Sequence, residues 1–327
     1  MTHNASAASR GAPSSAAYSP PTRAAVWGTA PEAPPDCSTV FRPRYRLNFE
    51  LTLMWVKTCK RRNGIGWWCS ETPQGSAATA FRAVSGEIIA DAWGPGAEWA
   101  IEQLPALLGD SDDPSGFRPL DPVISELTEK LGVPRLSATG RWYEATATAA
   151  IFQRVVSADA RASVARMGRL FGAEAPGDAP LPVFPKPEVA LRLPDHDFHR
   201  AGVDRGRSRV IRTAAKHADR LERLEGVPAA EARQWLERLS GIGPWTAARA
   251  TAVAAADADA VPVGDLHVPR MVTYALSGID DGDDDSMLEL LAPYAGHRCR
   301  VIRLLRAAEA GPKRHFPAPT RFDIAGI

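Results

Sequence analysis

"LSGIGPWTAARA", Leu239 to Ala250, decides the fold: two glycines and a proline interrupt an otherwise helical, alanine-rich stretch. Upstream, "EARQWLERL" sets Trp235, Leu236 and Leu239 on one apolar helical stripe. Gly241 and Gly243 then supply the positive φ or close backbone approach of a tight turn. Pro244 fits the first turn of a second helix, where a missing N–H costs nothing. The reading is helix, a hairpin of about four residues, helix. Its outward-facing amides form a place where a phosphate binds without any base being read. A plain helical hairpin with glycine in its turn meets the same geometry, but the ordered string L-x-G-I-G-P-x-T-A is much narrower.

Downstream, "DADAVPVGDLHVPRMV" puts Asp265 between Gly264 and Leu266, ahead of an expected helix. Alone, such a residue is an N-cap or a turn aspartate. Outward from this pair, the rest of the chain divides by pattern. Residues 1–41 are rich in Ala, Ser and Pro and poor in large apolar side chains, and read as a disordered tail. From "YRLNFELTLMWV" through "GIGWWCSE", "ATAFRAV" and "GEIIADAWG", short β-branched and aromatic runs alternate with turns, as in an antiparallel sheet. "GAEWAIEQLPALLG" reads as a helix lying on that sheet despite Pro105. An α+β antiparallel-sheet domain over 42–117 follows, then an all-α domain over 118–310 made of helical segments separated by Gly, Pro and Asp. Residues 311–327 read as a C-terminal tail.

At 327 residues, the chain is long enough for two such domains, each with its own core. Thirty-nine Lys plus Arg against 38 Asp plus Glu leave a net charge of +1, so any nucleic-acid footprint is local. The four cysteines form no C-x-x-C pair and read as reduced thiols, and the lone Cys299 cannot build an iron–sulfur cluster. No signal peptide or membrane-length apolar run is visible, and a soluble bacterial cytoplasmic protein is expected, at the nucleoid through DNA.

The hairpin resembles the helix-hairpin-helix motif of DNA repair proteins, and "GIGPWTA" followed by "VPVGDLHVP" resembles the two halves of the helix-hairpin-helix DNA glycosylase signature. "AWGPGAEWAIEQLPALLG", "DDPSGFRP", "FHRAGVDRGRSRVIRTAAKHA" and "MLELLAPYAGHRCRVIRLL" extend the resemblance to the 3-methyladenine DNA glycosylase II family, in its actinobacterial form, over about residues 42 to 308. The resemblance implies an N-terminal α+β domain, a helical domain with a DNA-binding cleft, and base flipping. It implies removal of alkylated, 3-methyladenine-type purines, whose positive charge makes the base a good leaving group.

By the resemblance, Asp265 is the carboxylate that stabilises an oxocarbenium-like sugar and orients water. Strand-cutting members carry a lysine after the hairpin proline; here it is Trp245, which implies a monofunctional glycosylase without lyase activity. Trp245, Leu266, Tyr143 and Trp142 are expected around the base, Trp245 through its aromatic face. Leu239, Ser240, Gly241, Ile242, Gly243 and Thr246 are expected at the DNA backbone. The turn in "AIFQRVVSADA" offers Gln153, Arg154 or Val155 as the wedge that fills the gap left by the flipped nucleotide. No cofactor is required by the resemblance, though the backbone carbonyls of Leu239, Gly241 and Ile242 can hold a structural Na+ or K+.

The expected partner is double-stranded DNA containing damaged bases, met by a monomer, with no membrane association. His267 reads as a neighbour of the pocket or a capping residue, and His297 as structural. Arg298, Arg300, Arg303 and Arg306, and the "DRGRSR" segment, read either as DNA-facing or as solvated basic surface. The alternatives are a catalytically silent DNA-damage-binding protein that keeps the hairpin, and an unrelated helical interaction module.

Overall fold

The computed structural model describes residues 33–312, so most of both expected tails, 1–32 and 313–327, lies outside the described residues. The end of the first tail is not a tail: Cys37–Phe41 forms strand β1, paired antiparallel to β5 (Glu87–Trp93) from Cys37 opposite Ala92 to Phe41 opposite Ile88. Ser38 Oγ donates to Asp91 Oδ1 at 2.7 Å across that pair. Five residues beside a Pro- and Ala-rich run carry too little pattern to be seen; pairing to a buried neighbour makes the strand.

Strands β2 (Cys59–Arg62), β3 (Ile65–Thr72), β4 (Gly75–Val84) and β5 complete a five-stranded antiparallel sheet in the order β1-β5-β4-β3-β2. The strand expected at "YRLNFELTLMWV" is instead a short helix, α1 (Phe49–Leu53). Asn48 caps it, its side-chain oxygen accepting from the amides of Glu50 and Leu51 at 3.1 and 3.2 Å. Leu51, Thr52 and Leu53 are buried in succession, which a half-buried strand does not do. Helix α2 (Ala97–Leu107) lies on the sheet as expected, burying Ala100, Leu104 and Leu107, with Pro105 in its last turn.

The rest is helical: α3 (Pro122–Leu131), α4 (Trp142–Ile151), α5 (Ser157–Phe171), α6 (Pro187–Arg192), α7 (Asp195–Arg200), α8 (Arg205–Lys216), α9 (Ala218–Glu222), α10 (Ala229–Glu237), α11 (Pro244–Ala254), α12 (Val268–Ser277), α13 (Asp284–Leu291) and α14 (Arg298–Ala307). Two separate cores were expected, but one hydrophobic cluster runs from Trp68, Phe81 and Ile88 of the sheet to Trp142, Leu236 and Leu304 of the helices. Helix α2 packs on the sheet, and smaller apolar clusters around Trp67 and Trp93 and around Cys69 and Ala78 are covered by Ala179, Leu181 and Val183.

Polar groups fasten the same seam. Buried Glu144, on α4, accepts from Thr58 Oγ1 at 2.7 Å and Ser70 Oγ at 2.8 Å. Arg303 on α14 is fully buried and donates through Nη1 to the carbonyls of Leu51 and Thr52, both at 2.9 Å, which end the short helix α1. Arg300 is also fully buried and grips Asp112 in two bonds of 2.7 Å. These two arginines therefore face neither DNA nor solvent. Arg298 is held by Asp259, and Arg207 of the "DRGRSR" segment is buried against Asp204 and the carbonyls of Ile151 and Gly202.

Candidate active site

The hairpin joins α10 to α11, which pack against each other. Leu236 is fully buried, and Trp235 and Leu239 pack on the core from its edge. Gly241 has φ +84°, and a Cβ there would stand 2.6 Å from Val210 Cγ2, so both conformation and space require glycine. Gly243 differs from expectation: its φ of −93° is ordinary, and nothing lies within 4 Å of where a Cβ would be. It leaves a bare surface rather than enabling a turn. No side chain caps the first turn of α11, so its amides stay available.

Trp245 and Asp265 meet here. The indole Nε1 donates to Asp265 Oδ2 at 2.8 Å, while Oδ1 accepts from the amides of His267 and Val268 at 2.9 and 3.0 Å. Partial burial pushes the Asp265 pKa up. The indole, the two amides and the charge of Arg306 outweigh it and hold the carboxyl below its ordinary value. Asp265 is thus an oriented carboxylate, ionised at neutral pH, at the N-terminus of α12.

Gln153 fixes the hairpin from the opposite side. Its Nε2 donates to the Gly241 carbonyl at 3.0 Å and to Thr246 Oγ1 at 2.7 Å, which ties the α4–α5 turn to the start of α11. That amide is committed to the protein. Arg154 is exposed at φ +56°, and Val155 packs partly on the core, so Arg154 is the wedge candidate with a free side chain.

A narrow cleft, open to solvent, is linked to this pair through Arg249. Ala145, Thr148 and Ala149 of α4 form one wall, Phe152 and the α11 residues Arg249 and Val253 another, and Trp55 and Lys57 close it from the loop after α1. Arg249 is shared: it lines the cleft, lies 5.9 Å from the Trp245 ring and feels the charge of Asp265. Lys57, Trp55, Phe152 and Arg249 were not singled out from sequence. The i, i+4 spacing of Trp245 and Arg249 on one helix was the only available signal.

Of the expected base-pocket residues, Trp245 stands at the site. Trp142 and Tyr143 do not line the cleft: at 1% and 4% exposure they belong to the core, with Tyr143 6.4 Å from the Phe184 ring. Their backbone amides are accepted by Glu222, which caps α4. Leu266 is 84% exposed, outside the cleft beside Asp265. The Gly241 and Leu239 carbonyls already accept from Gln153 Nε2 and the Ile242 amide, and each keeps a second lone pair, so the hairpin retains the all-oxygen donors that a monovalent cation takes.

No family model matches the sequence, and no curated protein matches it. Solved structures do share its fold. The 3-methyladenine DNA glycosylase of Archaeoglobus fulgidus superposes with a TM-score of 0.71 at 21% identity, over 83% of this chain and 98% of that one. The 8-oxoguanine glycosylase/lyase of Clostridium acetobutylicum, in complex with double-stranded DNA containing cytosine opposite 8-oxoguanine, gives 0.67 at 13% identity, over 84% and 96%. The Schizosaccharomyces pombe 3-methyladenine DNA glycosylase, bound to abasic DNA, gives 0.51 at 19% identity, over 59% and 96%. The five-stranded antiparallel sheet followed by the helical hairpin unit is the helix-hairpin-helix glycosylase fold.

Proposed function

We infer that the chain is a DNA glycosylase of base-excision repair. It binds double-stranded DNA containing a damaged base, flips that nucleotide out and hydrolyses its glycosidic bond, with the alkylated purines of the sequence resemblance as the first substrates to test. The observation that carries this reading is the Asp265 carboxylate, ionised and oriented by the Trp245 indole beside an uncapped hairpin helix. A binding protein gains nothing from a fixed anion there, since it repels the phosphates of its ligand.

In this reading the amides of the hairpin and of α11 anchor a phosphate near Gly243, and Arg154 fills the space vacated by the flipped nucleotide. Positive charge grows on the sugar as the C1′–N bond breaks, and Asp265 opposes it while orienting the attacking water. Trp245 carries no amine, so no Schiff base forms from α11 and the product is an intact abasic site. A structural Na+ or K+ at the Leu239, Gly241 and Ile242 carbonyls would brace the hairpin and take no part in the chemistry.

The test is base release from duplex oligonucleotides carrying single lesions, by wild type and Asp265→Asn. The substitution should lower release by ~100-fold or more and leave binding to abasic DNA nearly unchanged. Binding to damaged duplexes with no release from any of them would favour the catalytically silent binder. A borohydride-trapped adduct would overturn the monofunctional assignment, and the cleft's own amine, Lys57, is where such an adduct would map.

A further inference from the structure

Three donors hold the Asp265 carboxylate, but its backbone must be aimed as well. The chain enters Asp265 through a tight turn. The Asp265 amide donates to the Pro262 carbonyl at 3.1 Å, and Gly264, third of the four residues, has φ +87°. Positive φ at that position marks a type II turn. Nothing lies within 4 Å of where a Gly264 Cβ would be, so glycine is needed there for its φ and not for space. The Gly264 amide has no place in the turn's own bond and must find another acceptor.

That acceptor is Asp284, on a different helix. Both of its oxygens accept from the Gly264 amide, Oδ1 at 3.0 Å and Oδ2 at 2.9 Å. Asp284 opens α13, whose start is fixed by a capping box: the Ser286 amide donates to Asp283 Oδ1 at 2.9 Å and the Asp283 amide to Ser286 Oγ at 3.0 Å. The connection leading into α13 is braced on α12. Arg270 Nε donates to Asp280 Oδ1 at 2.6 Å and to its carbonyl at 3.1 Å. A Cβ on Gly282 would stand 1.9 Å from Oγ1 of buried Thr273, so backbone lies directly against α12 there. Asp284 therefore reaches the Asp265 turn from a rigid base.

We propose that Asp284 is a positioning residue for base release, which anchors the turn carrying Asp265 so that its carboxylate meets the sugar in register with the Trp245 indole. The proposal rests on the glycosylase reading and adds a residue to its site. Three helices then converge on one carboxylate: α11 through the indole, α12 through its first amides and α13 through Asp284. The charge that acts most strongly on Asp265 is that of Arg306, so Asp284 works through the backbone it holds. A carboxylate displaced by a fraction of an ångström still lets DNA bind, but it opposes the growing charge on the sugar less well. The loss belongs to the chemical step.

Asp284→Ala, Asp284→Asn and Asp285→Ala, each checked for folding by thermal melting, are compared with wild type in single-turnover release from the single-lesion duplex on which wild type is fastest. Asp284→Ala should lower the rate at saturating DNA by about tenfold or more, with the half-saturating DNA concentration unchanged. Asp284→Asn keeps an oxygen that accepts from the Gly264 amide, and should restore most of the rate. Asp285 is exposed in the same helical turn, so Asp285→Ala removes an equal charge without that bond and should match wild type. Four outcomes overturn the proposal while leaving the glycosylase reading intact. They are a wild-type rate in Asp284→Ala, an equal loss in Asp284→Asn, an equal loss in Asp285→Ala, or a raised half-saturating concentration at an unchanged maximal rate, which marks a DNA contact. Failure of the wild type to release any base from any duplex removes the glycosylase reading itself, and this proposal with it.

Discussion

Trp245 shows how one side chain joins the hairpin to the chemistry. Its ring packs in the first turn of α11, and its indole N–H is the sole side-chain donor among the groups that hold Asp265 below its ordinary pKa. Trp245→Phe keeps the ring and removes that donor. A hydrogen bond to a charged group contributes about 1.5–3 kcal/mol, so base release should fall by about 10- to 100-fold. The sign of the pH effect also follows. Donors stabilise the carboxylate, so removing one raises the Asp265 pKa, and the acidic limb of the release profile should move to higher pH. Loss of activity with that limb unmoved would mean that the ring, not the N–H, is what matters. Sequence placed Trp245 and Asp265 in one site but could not show their bond, because the nineteen intervening residues fold back through contacts that no local spacing encodes.

At the scale of the element, the hairpin glycines separate by cause. Gly241→Ala meets both a positive φ and the Val210 side chain at 2.6 Å, and should cost about 1–3 kcal/mol, seen as a lower melting temperature. Gly243→Ala has an ordinary φ and open space for its Cβ. Its stability should stay within about 0.5 kcal/mol of wild type, while affinity for duplex DNA falls if a phosphate approaches that face. Equal destabilisation by both substitutions would refute the distinction. The helix-hairpin-helix pattern was legible because turn chemistry is local: Gly241 takes the positive φ of the turn, and Pro244 fixes φ at the start of α11. Helix α1 was not, since Leu47, Phe49, Leu51 and Leu53 alternate like a strand and only the Asn48 cap decides otherwise. The cleft was equally hidden, for its cations come from Lys57 and Arg249, far apart in sequence, and its walls from small residues of α4 that look like ordinary helix formers.

Over the whole molecule, sheet and helices share one core, so the site depends on a seam rather than on either unit alone. Composition and length suggested two independent cores; apolar residues of the strands and of α4 instead belong to one cluster. Trp142 and Tyr143 looked like pocket aromatics because sequence does not tell an aromatic lining a cleft from one filling the core beneath it. Glu144 gives this seam a pH dependence. Burial drives its pKa from 4.5 up to about 7, with the Thr58 and Ser70 hydroxyls pulling it back down only in part. The folded protein therefore holds the Glu144 proton more tightly than the unfolded chain does. Stability from this group is fully present below about pH 4.5, falls as pH rises toward 7, and stays at its lower level above. The shift corresponds to about 3 kcal/mol. Glu144→Gln cannot ionise and can still bond one of the two hydroxyls, so its melting temperature should lose less than wild type between pH 5 and pH 8. If the two curves run parallel across that window, Glu144 does not titrate at the seam, and docking of sheet on helices is insensitive to its proton.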